Sequence, residues 1–79
     1  MSIKAYVLIV TDPGQTKSVY EALGKVEGVA ELHEVMGPYD IVVEIEVPTL
    51  ADVPPVLGGK IRVIAGIQST TSLVTFPSS

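Results

Sequence analysis

Sliding the chain against itself by 38 residues superposes two halves of similar pattern. Gly28 falls on Gly66, Val26 on Ile64, Val29 on Ile67, Leu23 on Ile61 and Val19 on Leu57. Ile3, Val7 and Ile9 fall on Ile41, Ile45 and Val47. Two halves sharing a pattern share an element order, so whatever the first half folds into, the second repeats.

The first half reads clearly. Ile3 to Val10 is β-branched and almost wholly apolar, which predicts a strand. Asp12-Pro13-Gly14 is a turn, with Pro fixing φ and Gly accepting a positive one. Val19, Ala22, Leu23 and Val26 recur at i, i+3, i+4 and i+7, one face of a helix over roughly Gln15 to Val26. Ser18 and Glu21 have the spacing of a capping box, and Gly28 stops the helix. Val29 to Met36 predicts a second strand and Ile41 to Val47 a third, in which Ile41, Val43, Ile45 and Val47 share the buried face. In the second half Leu50, Val53, Leu57, Ile61 and Ile64 recur at steps of 3, 4, 4 and 3. That predicts a helix from Val53 to Ala65, capped by Asp52 and carrying Pro54 and Pro55 in its first turn. Gly66 stops it, and Gln68 to Phe76 forms the last strand. The order is βαββαβ. With right-handed crossovers this is an α+β, ferredoxin-like fold: a four-stranded antiparallel sheet with both helices on one face. Tyr6, Leu8, Val10 and Val42 then lie on the uncovered face, an apolar patch suited to a second copy.

Composition narrows the function. The 79 residues are 47 % hydrophobic, and nine acidic against five basic residues give a net charge of −4. Disorder is excluded, and a nucleic-acid interface built from a basic patch is not expected. With no cysteine there is no disulfide framework, thiolate zinc site or thiol nucleophile. No apolar run has the length of a membrane span and the start lacks a signal-peptide pattern, so a soluble, cytoplasmic domain is expected. A domain this small has a limited core of its own, and its apolar excess predicts a homo-oligomer.

Few residues carry chemistry. His33 is the only histidine and has no further ligands at metal-binding spacing, so it reads as a surface or interface residue and no metal is expected. Glu31, Glu34, Glu44 and Glu46 fall on adjacent strands as a solvated rim rather than an acid–base pair. No catalytic residues and no cofactor are expected. The loop Gly37-Pro38-Tyr39-Asp40 and the strand segment Thr70-Thr71-Ser72 stand apart from this. An aspartate can meet an ammonium, and hydroxyls can meet a carboxylate, which are the two ends of a free amino acid.

Gly28-Val29, the Gly37-Pro38-Tyr39-Asp40 loop opening an Ile-Val-Val strand, Ile61, Ile64, Gly66-Ile67 and Thr70-Thr71-Ser72 together resemble the effector-binding domain of Lrp/AsnC transcription regulators. This is the RAM domain (regulation of amino-acid metabolism), and the resemblance covers essentially the whole chain. It implies βαββαβ order, dimers of the α+β-barrel type with sheets face to face, assembly into rings, and an amino-acid effector bound between dimers. It also implies Gly37, Tyr39 and Asp40 at the effector pocket, with Thr70 and Ser72 opposite. Because the first strand begins at Ile3, residues 1–79 are expected to be a single stand-alone domain without a helix-turn-helix. Such a domain would influence full-length relatives by mixed assembly. The competing expectation is a small dimeric α+β-barrel enzyme of monooxygenase type. That needs polar catalytic groups between sheet and helices, where this chain offers Val, Ile and Leu.

Overall fold

Residues 2–75 are described by a computed structural model. Strands β1 (Ile3–Thr11), β2 (Val29–Glu34), β3 (Ile41–Val47) and β4 (Ile67–Val74) form one antiparallel sheet in the order β2-β3-β1-β4. Helix α1 (Thr16–Leu23) joins β1 to β2, and α2 (Val53–Val56) begins the crossover from β3 to β4. The repeat therefore predicts the element order correctly. Phe76, the expected end of the last strand, lies outside the described residues.

Alternation sorts the strands onto two faces. Ala5, Val7, Ile9 and Thr11 of β1 and Ile41, Val43, Ile45 and Val47 of β3 are buried towards the helices. Val19 and Leu23 of α1, Val53 and Val56 of α2, and Ile61 complete that core. Thr11 is the only buried polar residue among those described, and the other buried side chains between sheet and helices are aliphatic. The opposite face is uncovered, as its half-buried Tyr6, Leu8, Val10 and Val42 indicate. Register lines up Glu31, Glu44, Tyr6 and Leu73 across all four strands, and beside them His33, Val42, Leu8 and Thr71.

Both helices are shorter than their periodicity predicts. α1 ends at Leu23, because Lys25 and Val26 donate to Ala22 and Leu23, three residues back, and the chain tightens before Gly28. Ser18 lies inside the first turn and bonds the Gln15 carbonyl, so its spacing from Glu21 is no capping box. The expected continuous helix from Val53 to Ala65 is three pieces: a 3₁₀ turn (Leu50–Asp52), α2 and a π turn (Leu57–Ile61). Prolines 54 and 55 lack the N–H groups that would tie α2 to the preceding turn, and Gly58-Gly59 tolerates the widened winding. The expected cap is corrected too. Asp52 caps nothing downstream; its Oδ2 accepts from the Thr49 backbone N–H (3.0 Å) and the Thr49 hydroxyl (2.8 Å).

The repeat also has a spatial meaning. Gly28 and Gly66 both adopt positive φ, +101° and +99°, where the chain leaves a helix for a strand. Each lies against the other half: a Cβ on Gly28 would meet Val56 of α2, and one on Gly66 would meet Val19 of α1.

Candidate functional site

The Gly37–Asp40 turn sits where β1 ends. The Asp40 backbone N–H donates to the Ile9 carbonyl (2.8 Å), and the Asp40 carbonyl accepts from the Val35 N–H (2.9 Å). Its carboxylate Oδ2 accepts from the Thr11 N–H (2.8 Å) and the Thr11 hydroxyl (3.1 Å). Thr11 and Thr16 hydroxyl oxygens are 2.6 Å apart. With the Thr11 proton directed at Asp40, Thr16 donates to Thr11, so a chain of hydroxyls runs from α1 to the carboxylate. β1 shifts register between Val10 and Thr11, and the half-buried Asp40 carboxylate takes up the N–H at that irregularity. Asp40 Oδ1 accepts no hydrogen bond among the described residues. Gly37 has φ +132° with open space around its Cα, so backbone conformation rather than crowding demands glycine there. Tyr39 is half-buried beside it.

Thr70 and Ser72 lie on edge strand β4, opposite Ile9 and Val7 and thus on the helix side of the sheet. The Thr70 hydroxyl accepts from Arg62 Nε at 3.2 Å. Ser72 Oγ is buried with no hydrogen-bond partner among the described residues. β1 separates these hydroxyls from Asp40, since β3 and β4 flank it on opposite sides. Two strand spacings amount to about 9.5 Å. Gly37, Tyr39 and Asp40 therefore gather in one place, Thr70 and Ser72 in another, and a single chain does not bring the two groups together. An open depression lined by Ser2, Glu46, Val47 and Pro48 lies at the far end of the sheet from both.

Three residues that sequence reasoning missed belong to these surroundings: Thr11, Thr16 and Arg62. Arg62 had a visible signal, being the sole arginine. Thr11 and Thr16 had none, because their role depends on the β1–β3 pairing. His33 Nε2 is 3.2 Å from Glu31 Oε1, with both side chains 61 % exposed, on the uncovered face. The four acids do not cluster: on that face Glu31 lies across from Glu44 and Glu46 across from Lys4, while Glu34, opposite the buried Ile41, belongs to the helix side of the sheet. Among the described residues no three His, Asp or Glu side chains gather as a metal site. Tyr6 donates its hydroxyl to Glu44 Oε1 (3.0 Å), and that bond, followed by the nearby negative charge, raises the phenol above its ordinary pKa. No helix is long and apolar enough to cross a membrane among the described residues.

Residues 4–78 match the family model described as the Lrp/AsnC ligand binding domain. The chain belongs to the Lrp/AsnC ligand-binding family. An uncharacterised HTH-type transcriptional regulator of Pyrococcus furiosus is 37 % identical over 75 residues, covering 91 % of this chain and 50 % of that protein. The chain thus spans about half the length of the curated regulators it matches. A crystal structure of a Thermus thermophilus protein superposes with a TM-score of 0.91 at 28 % identity, covering 98 % of this chain and 96 % of that one. A Neisseria meningitidis transcriptional regulator, solved as a complex with L-Met, superposes with a TM-score of 0.82 at 10 % identity, covering 95 % and 50 %. That last likeness speaks to the fold alone. The ferredoxin-like Lrp/AsnC fold accounts for every described element, and nothing in these similarities favours a monooxygenase.

Proposed function

We propose that this Lrp/AsnC domain is a non-enzymatic sensor that binds a free amino acid or a closely related metabolite at a boundary between subunits. The observation that carries the reading is the family match over residues 4–78, to a ligand-binding domain rather than to a catalytic one. Asp40, with Oδ1 uncommitted, is the partner for the ligand's ammonium, and Gly37 and Tyr39 shape the wall around it. Thr70 and Ser72 supply donors to the carboxylate. In one chain these groups stand on opposite sides of β1, whereas the ammonium and carboxylate of an α-amino acid are joined through a single carbon. The two ends of the ligand are therefore held by different copies, which makes oligomerisation a requirement of binding.

The half-buried uncovered sheet face, with Tyr6, Leu8 and Val42 at its centre, is the surface for the first such contact, giving a homodimer or a larger closed ring. With five basic residues in all, the domain does not hold duplex DNA by itself. It acts in the cytoplasm on full-length Lrp/AsnC regulators by mixed assembly. Residues 1–79 work as one effector-binding unit in this scheme. Thermal-shift measurement against the twenty amino acids tests it: one or a few should raise the melting temperature in proportion to concentration. A melting temperature that no amino acid moves refutes it.

A further inference from the structure

Arg62 is the sole arginine, and although exposed it is tied to the fold at both backbone and side chain. It follows Ile61, a fully buried anchor, and its backbone N–H closes the π turn by donating to the Leu57 carbonyl at 2.9 Å. Such widened turns are uncommon and often mark functional positions. The turn brings the guanidinium over the edge strand, where Nε donates to Thr70 Oγ1 at 3.2 Å. That bond orients the guanidinium, and among the described residues neither terminal nitrogen makes a hydrogen bond. Among the described residues the one ion pair is His33 with Glu31, so no carboxylate neutralises Arg62. Thr70, accepting from Nε, still has its own proton to donate. Two residues on, about 6.7 Å along the same face, Ser72 Oγ is buried with no hydrogen-bond partner among the described residues. A buried hydroxyl in that state is unusual in a native structure and calls for a reason.

We infer that Arg62, oriented by Thr70, is the anion-binding residue of this domain, and that it takes the carboxylate of the ligand with the Thr70 and Ser72 hydroxyls as further donors. For the class of ligand this rests on the amino-acid reading above; the anion site itself rests on the geometry of Arg62, Thr70 and Ser72. A planar guanidinium offers two parallel N–H donors to a carboxylate, which a lysine ammonium cannot reproduce. The Arg62 guanidinium held against β4 and the Asp40 Oδ1 atom beyond β1, which accepts no hydrogen bond among the described residues, are then complementary halves, one for each end of a zwitterion.

The experiment is calorimetric titration of the full chain with the twenty L-amino acids and with the α-carboxamide of each, which keeps the ammonium and side chain but loses the negative charge. Wild type should bind the best amino acid at least about tenfold more tightly than its amide. Arg62→Gln should weaken that amino acid by a similar factor and bring the acid-to-amide ratio close to one, and Arg62→Lys should fall between. Arg62 is exposed, so an unchanged thermal melt is expected for both variants and serves as the folding control. A folded Arg62→Gln protein that keeps the wild-type ratio overturns the inference while leaving the amino-acid reading intact. If wild type binds none of the amino acids, that reading has failed, and acetate and succinate then decide the anion site. Binding of either that Arg62→Gln abolishes supports it; no binding of either overturns it.

Discussion

One oxygen of Asp40 holds both the backbone N–H and the side-chain hydroxyl of Thr11, 29 residues away in sequence. The last residue of β1 and the turn before β3 are thereby fixed to each other, and the other carboxylate oxygen is left to meet something else. A structural and a ligand-binding role are compatible at one residue because they use different atoms.

Substituting Asp40→Asn should therefore lower two quantities. An amide keeps an acceptor for Thr11 but loses the charge, and charge-assisted bonds contribute about 1.5–3 kcal/mol against roughly 1 kcal/mol for neutral ones. Urea denaturation should show a loss of about 1 kcal/mol. Affinity for the best amino acid in the screen should fall about tenfold or more. Loss of stability with unchanged affinity assigns Asp40 to the turn alone.

Thr11→Val separates the two roles from the other side. It keeps the backbone N–H bond and removes the hydroxyl that links Thr16 to Asp40. The protein should lose about 1–2 kcal/mol in the same assay. Amino-acid affinity should move much less than in Asp40→Asn.

Replacing glycines by alanine should give a graded series. At Gly37 the added methyl meets open space, so only the positive φ is penalised, by about 1–2 kcal/mol. At Gly28 the methyl also stands 3.3 Å from Val56 Cγ2, and at Gly66 it stands 2.9 Å from Val19 Cγ2 and 3.0 Å from Gln15 Cβ. Melting temperatures should fall in the order Gly37→Ala, Gly28→Ala, Gly66→Ala, the last being the lowest. Equal losses at all three would mean that crowding is relieved without cost.

Tyr6 makes a pH prediction. Its phenol is raised by the bond to Glu44, so the folded value lies above the ordinary 10.0. A group raised on folding adds stability below its unfolded value and loses that contribution as pH rises through the folded one. Alkaline destabilisation should therefore set in above about pH 10. Phenolate absorbance, taken as the difference between wild type and Tyr6→Phe, should place the Tyr6 titration above the ordinary value. The same difference in a Glu44→Gln background should move it lower.

How far the sequence carried depended on whether a feature was local. The 38-residue repeat and the stops at Gly28 and Gly66 located every strand and both helices, since apolar period and turn chemistry act over short range. The break-up of the second helix was not visible in the apolar period. Leu50 to Ile64 advances 14 residues over about four turns, close to the α-helical 3.6 per turn, and only Pro54-Pro55 and Gly58-Gly59 marked this helix as weak. Thr11, Thr16 and Asp40 became neighbours only through the β1–β3 pairing, and no spacing in the chain announces that. The separation of Asp40 from Thr70 and Ser72 likewise follows from β1 lying between β3 and β4. Each group is local in sequence, but a linear reading has no measure of the strand that stands between them.

The reciprocal seating of Gly28 on α2 and Gly66 on α1 bears on how the molecule comes apart. Each half supplies the wall against which the other half's helix-to-strand corner is packed, and β1 and β3, one from each half, are paired along their length. Opening either corner exposes the helix of the opposite half, so the damage does not stay where it begins. Two similar βαβ units joined in this way behave as one cooperative unit, and neither can act as a preformed template while the other is still a chain.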